Sequence, residues 1–278
     1  MRRRTLLPSG ATALTGALIA SVAALRSIHR SPDRSLARAK NALNQDRLIG
    51  IIMEGTNHET GVYEITGAEE GPTAVILGGM HGNEINGYRA AANITNWEID
   101  TGRLIVIPLA NIAAIEQNNR RGPDGDLNRL FPSGQEPESA LARAIWRVVK
   151  DADPDVVIDL HRSRGLFNPH HRWIGQVILT ANAQGERKQA TDTAEYVIDY
   201  MNENHVPQTM RFHRFTRVDI RDINRGSGLL IQKVQHELDS TSFLVESTDF
   251  LLDLETQIRW TTTITEQLLE QNGIQRTT

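Results

Sequence analysis

Two continuous apolar runs constrain this chain more than anything else in it. They are Thr73-Ala-Val-Ile-Leu77, stopped by Gly78-Gly79, and Val156-Val-Ile-Asp-Leu160, which ends on His161. A strand with one wet face alternates apolar and polar residues; near-continuous runs such as these, with Asp159 the one charged residue, belong to strands covered on both faces. Further strand-like runs lie at Leu48–Met53, Val62–Thr66, Leu104–Pro108, Ile174–Thr180 and Phe243–Val245. Helical patterns separate them: Glu84–Asn96, Glu138–Ala152 with Pro137 near its first turn, Ala190–Asn204, Gly228–Leu238 and Asp253–Gln271. Alternating strands and helices predict an α/β fold, a three-layer α/β/α domain with a mixed, mostly parallel sheet over residues 47–278. Residues 31–46, polar and Arg-rich, read as a linker or an exposed helix.

Composition narrows the function. Of 30 Lys/Arg and 34 Asp/Glu, residues 1–40 hold eight and one, so the rest carries 22 against 33, a net −11. A body this acidic does not attract phosphate backbones, and no nucleic-acid partner is expected. The chain has no Cys, which removes disulfides, thiolate metal sites and cysteine nucleophiles together. Any metal must be held by His and carboxylates.

The first apolar run continues Gly78-Gly-Met-His81-Gly-Asn-Glu84, and the second ends on His161. Sites in parallel α/β sheets form at the carboxyl ends of strands, where both histidines fall. Two His and one Glu hold three positions of a tetrahedral zinc and leave the fourth to water. Asp159, two residues before His161, shares its strand face and is placed to orient an imidazole. A lone His-x-x-Glu is common, and a lone strand-end histidine is more often structural; the two together at two strand ends carry the argument.

With Asp126-Leu-Asn128-Arg129-Leu-Phe-Pro132 between them, these motifs resemble the aspartoacylase/succinylglutamate desuccinylase branch of the zinc carboxypeptidases, over roughly residues 48–250. The resemblance implies one Zn2+ per chain on His81, Glu84 and His161, and assigns Asn128 and Arg129 to a substrate carboxylate. It makes Arg121 the group that polarises the scissile carbonyl, and Glu246, in Phe243-Leu-Val-Glu246-Ser-Thr, the general base. The expected activity is a deacylase of small carboxylate-bearing N-acyl amino acids. The same residues would serve a zinc carboxypeptidase trimming peptide C-termini, and a non-catalytic carboxylate-binding protein is a third reading. The β-rich domain that such deacylases carry after the catalytic glutamate is not expected from residues 247–278. Asn168-Pro-His-His171-Arg172 reads as loop decoration rather than a second metal site, and His58, His205, His213 and His236 as ordinary histidines.

Residues 1–30 read as a targeting segment. Arg2-Arg-Arg4 precedes an uncharged run from Thr5 to Leu25 of low hydrophobicity, the layout of a twin-arginine export signal, with Val22-Ala-Ala24 as a cleavage site. The 21 uncharged residues are also just long enough for an uncleaved anchor, which would be the chain's one link to a membrane. The product is then exported or held facing outside, and cytoplasmic if the segment is no signal. Replacing Arg3 and Arg4 by Lys should block translocation; unchanged fractionation of that variant would count against the twin-arginine reading.

Overall fold

The computed structural model describes residues 32–168, 174–181, 187–222 and 227–277. The targeting segment and His170-His171 lie outside the described residues. No helix among the described residues is long and apolar enough to cross a membrane.

The strands are β1 (Leu48–Ile52), β2 (Thr60–Thr66), β3 (Glu69–Gly78), β4 (Thr101–Ile107), β5 (Val156–Ser163), β6 (Val177–Thr180), β7 (Thr216–Asp219) and β8 (Thr241–Thr248). They form one sheet in the order β1-β2-β4-β3-β5-β8-β6-β7. The four central strands β4, β3, β5 and β8 run parallel, and both flanks bring in antiparallel pairs, β2 on β4 and β6 on β8. The sheet is therefore mixed, and parallel where it is most buried, as expected.

The continuous apolar runs explain the layering. In β3, Ala74 and Ile76 join the core on one face, while Val75 and Leu77 join the core on the other. On the first face lie helices α1 (Pro32–Ala42), α2 (Ile85–Ile94), α5 (Arg187–Asn204) and α7 (Leu254–Gln271). Their Ala39, Tyr88, Ala91, Val197, Trp260 and Ile264 fill that core. On the second face α4 (Ala140–Ala152) and α6 (Leu230–Glu237) supply Leu141, Ile145, Val149, Leu230 and Val234. Each such chain, fully buried, contributes about 1.5–3 kcal/mol of hydrophobic stabilisation.

Several boundaries differ from the sequence reading. The stretch expected as a linker or exposed helix is α1, whose Ser35 and Ala39 are buried against the domain. One small face at four-residue spacing is too little apolar signal to see in an Arg-rich segment. Helix α4 starts at Ala140 rather than Glu138, because the Ser139 hydroxyl accepts the Ala142 N–H at 3.1 Å and caps it. The short strand β7 and the one-turn helix α3 (Ile112–Glu116) were too brief for a periodic signal.

The chain turns back at β3. After β3 it crosses α2 to β4 on one side; after β4 it crosses α4 to β5 on the other, so the strand order reverses beside β3. That switch point leaves a crevice beyond the carboxyl ends of β3 and β5. Helix α2 is held tight against it. A Cβ on Gly87 would lie 2.3 Å from the Leu160 carbonyl oxygen, so only glycine allows the approach. Asn86 beside it donates from Nδ2 to the His161 carbonyl at 3.1 Å and to Thr261 Oγ1 at 3.0 Å, tying α2 to β5 and α7.

Gly87→Ala should push α2 off β5 and lower stability by about 1–3 kcal/mol, the usual cost of overpacking. A thermal unfolding midpoint unchanged from wild type would show that the contact is not tight.

Candidate metal centre

His81 leaves β3 through Gly79, whose φ of +77° turns the chain out of the sheet. A Cβ on Gly82 would sit 2.0 Å from the Ala114 carbonyl, so the turn between His81 and Glu84 is pressed onto α3. Glu84 then occupies the N-cap position of α2 but makes no capping bond. Its carboxylate points into the crevice, where Oε1 is 2.9 Å from His81 Nδ1 and Oε2 is 2.7 Å from His161 Nδ1. The Arg162 backbone N–H donates to Oε2 at 3.0 Å, fixing the carboxylate plane. The two Nδ1 atoms are 3.1 Å apart.

These atoms converge as metal ligands do. Among the described residues, His81, Glu84 and His161 form the one group of three ligating side chains whose donor atoms all lie within 4.8 Å of one another. A four-coordinate ion with bonds of about 2.0–2.2 Å has ligand–ligand edges of about 3.3–3.6 Å. The observed separations are a little shorter, a small adjustment for buried side chains.

The far side of each imidazole settles which nitrogen faces the centre. His81 Nε2 is 2.9 Å from Asp126 Oδ1, and His161 Nε2 is 2.8 Å from Asp159 Oδ2. A carboxylate only accepts, so each Nε2 carries the proton and each Nδ1 is left to face the other ligands. Asp126 was in the motif but had no role in the sequence reading. It lies 45 residues from His81, and no local spacing could reveal the pair.

Electrostatics point the same way. Burial disfavours charge on both imidazoles, yet Glu84 with Asp126, and Asp159 with Glu84, outweigh it and raise their pKa values. Glu84 is likewise buried and likewise held well below the usual carboxylate range by the two imidazoles. Protons on the histidines thus balance the carboxylates, and a cation at the Nδ1 atoms would take over that task. The residues present fit a divalent metal ion.

Glu246 sits opposite His161 on β8, in register with it. It is buried, its Oε2 has no partner, and its pKa is raised to about 7 by burial and by the charge of Glu84. A bound dication would act against that rise. Glu246, His81 and His161 line one cavity with Arg120, Asn128 and Arg129.

Two of the other assigned residues are placed differently from what the roles implied by the resemblance would suggest. Arg121 is exposed and does not line the cavity; its neighbour Arg120 does, donating to Glu84 Oε1 at 3.2 Å and to Asp126 Oδ2 at 3.1 Å. In an irregular loop, consecutive side chains point in unrelated directions, so spacing from Asn128 does not tell which of the two adjacent arginines faces the cavity. Asn128 is buried, with its Oδ1 accepting the Leu230 N–H at 3.0 Å and its Nδ2 3.3 Å from Asp159. Its polar atoms brace the third ligand and α6 rather than facing the cavity freely. Arg129 lines the cavity half-buried, one Nη donating to the Asn128 carbonyl at 2.5 Å. His58, His205, His213 and His236 are elsewhere; His213 Nε2 donates to the Phe250 carbonyl, 2.8 Å away.

Comparison with known proteins agrees with the motifs. Residues 70–167 match the family model of the succinylglutamate desuccinylase/aspartoacylase catalytic domain. Over 101 residues, 33% of the chain, it is 37% identical to an N-alpha-acetyl-L-2,4-diaminobutyric acid deacetylase of Halomonas elongata, a match covering 29% of that protein. The tripeptide-bound cell shape determinant Csd4 of Helicobacter pylori superposes with a TM-score of 0.66 at 18% identity, over 79% of this chain and 57% of that one. A succinylglutamate desuccinylase/aspartoacylase from Rhodobacter sphaeroides gives 0.57 at 20% identity, over 79% and 61%. At such identities the structures speak to the fold, and the chain spans less than two thirds of these relatives' lengths. The resemblance to the aspartoacylase/succinylglutamate desuccinylase family is borne out.

Purified protein should bind one divalent metal ion, lost on His161→Ala. Asp126→Asn should keep the fold but weaken metal affinity by about 10–100-fold, the usual worth of such a partner. Elemental analysis and a chelator titration check both; equal affinity in Asp126→Asn would remove Asp126 from the centre.

Proposed function

We propose that the chain is a zinc-dependent hydrolase of the deacylase type, cutting the amide bond of an N-acyl amino acid or a related small carboxylate-bearing substrate. The observation that carries this reading is the pair of imidazoles whose Nε2 atoms are held by Asp126 and Asp159, turning both Nδ1 atoms onto Glu84 beside a buried, half-unpartnered Glu246. A structural metal site is closed by a fourth protein ligand, whereas three ligands with a carboxylate alongside suit a hydrolytic one. The Halomonas elongata relative, a deacetylase by name, favours deacylation over peptide trimming.

Zinc at this site would supply a Lewis acid and a water acidified towards a pKa of about 7. The chain's own residues do the rest. Glu246 accepts the proton of the attacking water and passes it to the leaving amine, the shuttle that acyl transfer to water requires. Arg120, rather than Arg121, offers its guanidinium to the oxyanion that develops at the scissile carbonyl. Arg129 holds the substrate carboxylate, a task that suits the fork of a guanidinium better than a lysine ammonium. Asp126, Asp159 and Asn128 keep the ligands in place. The export of this activity, from the segment at Arg2–Arg4, is part of the same proposal.

Glu246→Gln should keep metal and substrate affinity while kcat falls by about 10²–10⁴-fold. Arg129→Ala should mainly raise KM, by about 10–150-fold, the loss of a charged hydrogen bond of about 1.5–3 kcal/mol. Release of the metal by Glu246→Gln would make Glu246 a ligand and overturn the assignment. Cleavage of peptide C-termini, with N-acyl amino acids untouched, would replace deacylase by carboxypeptidase.

A further inference from the structure

One sheet face changes character beside the metal ligands. Residues in register share a face, so Asp159 and His161 of β5 align with Leu244 and Glu246 of β8, and these with Leu179 and Val177 of β6. Charge therefore gives way to aliphatic carbon within two strands. The cavity follows that gradient. Its remaining described lining is Ile174, Leu179, Ile220, Leu229 and Leu244.

This apolar wall begins beside the carboxylate anchor. Gly228, with φ of +86°, is so close to Arg129 that a Cβ there would lie 2.2 Å from the Arg129 carbonyl oxygen. Phe131 N–H donates to the Gly228 carbonyl at 3.0 Å, locking the two segments together. Leu229 follows at once. Arg129 and Leu229 line the same cavity, so a substrate whose carboxylate rests on Arg129 shares that space with the aliphatic wall. The charged residues either side of Ile220 do not face that space unengaged: Arg221 pairs with Asp219 through Nε at 2.8 Å. Among the described lining residues, no charged group stands on the aliphatic side.

We infer that the amino-acid half of the substrate carries an aliphatic side chain, and that a second carboxylate or an ammonium on that side chain is rejected. The inference rests on the hydrolase reading above and deepens it. An aliphatic group displaces water from a wall that holds it weakly, whereas a charged one loses its hydration with nothing to replace it.

The test uses the full, zinc-loaded chain and N-acetyl derivatives of L-leucine, L-norvaline, L-alanine, L-aspartate and L-2,4-diaminobutyrate. The leucine or norvaline derivative should exceed alanine in kcat/KM by about tenfold or more, the low end for added methylenes in an apolar pocket, and should exceed both charged derivatives by more. Ile220→Arg should erode the aliphatic preference and raise activity on the aspartate derivative. Ile220→Ala, safer for folding, should shift the optimum towards bulkier side chains. If aspartate or diaminobutyrate wins in the wild type, the wall does not select and the inference falls while the hydrolase reading stands. If no derivative is cut, the hydrolase reading itself falls, and the inference with it.

Discussion

Everything around the crevice answers to one electrostatic demand. Glu84, Asp126, Asp159 and Glu246 bring four carboxylates around two imidazoles, with the Arg120 guanidinium paired to Glu84 and Asp126. Four negative charges in so little space are unstable unless positive charge lies among them. Protons on His81 and His161 answer part of the demand, and a dication on the same Nδ1 atoms answers it better. An ion entering this site would displace the protons that the histidines carry without it, so its binding would be linked to folding.

Meeting that demand costs the local structure its ordinary conveniences. Glu84 stands where a helix wants a cap, and its side chain serves the histidines instead. Gly82 and Gly87 forgo side chains so that α3 and the β5 backbone can come within contact of the ligand turn. Asn86 is buried, an unusual place for an amide, because it ties α2 both to the His161 carbonyl and to α7. These features make sense together as the means of holding the Glu84 carboxylate within hydrogen-bond reach of both histidines.

How much of this could be read from the sequence followed the range of the interaction. The covered strands, the layering and the ligand turn His81–Glu84 are local, and their spacing showed them. Asp159 was legible too, since it shares a strand face with His161 two residues away. Asp126 was not, because its contact with His81 closes only when β3 and the loop before Arg129 meet. The placement of Arg120 in the cavity was not legible for another reason: the loop 117–126 has no periodicity, so nothing told one arginine from the next. Helix α1 was read as linker or exposed because Ser35 and Ala39 bury little area each, and only the presence of α2 makes them a face.

The same register that sets Glu246 beside His161 also sets the charged residues apart from the aliphatic wall. Position 161 on β5 and position 246 on β8 lie side by side, and both belong to the central parallel strands, where any change disturbs two neighbours at once. Leu179 belongs to β6, towards the sheet's edge, and Ile174, Ile220 and Leu229 lie outside the named strands altogether. Side chains there can change without moving a metal ligand, since they share neither a hydrogen bond nor a strand with His81, Glu84 or His161. A fold arranged this way can keep one hydrolytic centre and alter what it accepts. That is a physical reason why proteins with unlike substrates in their names can share this architecture at less than one residue in four.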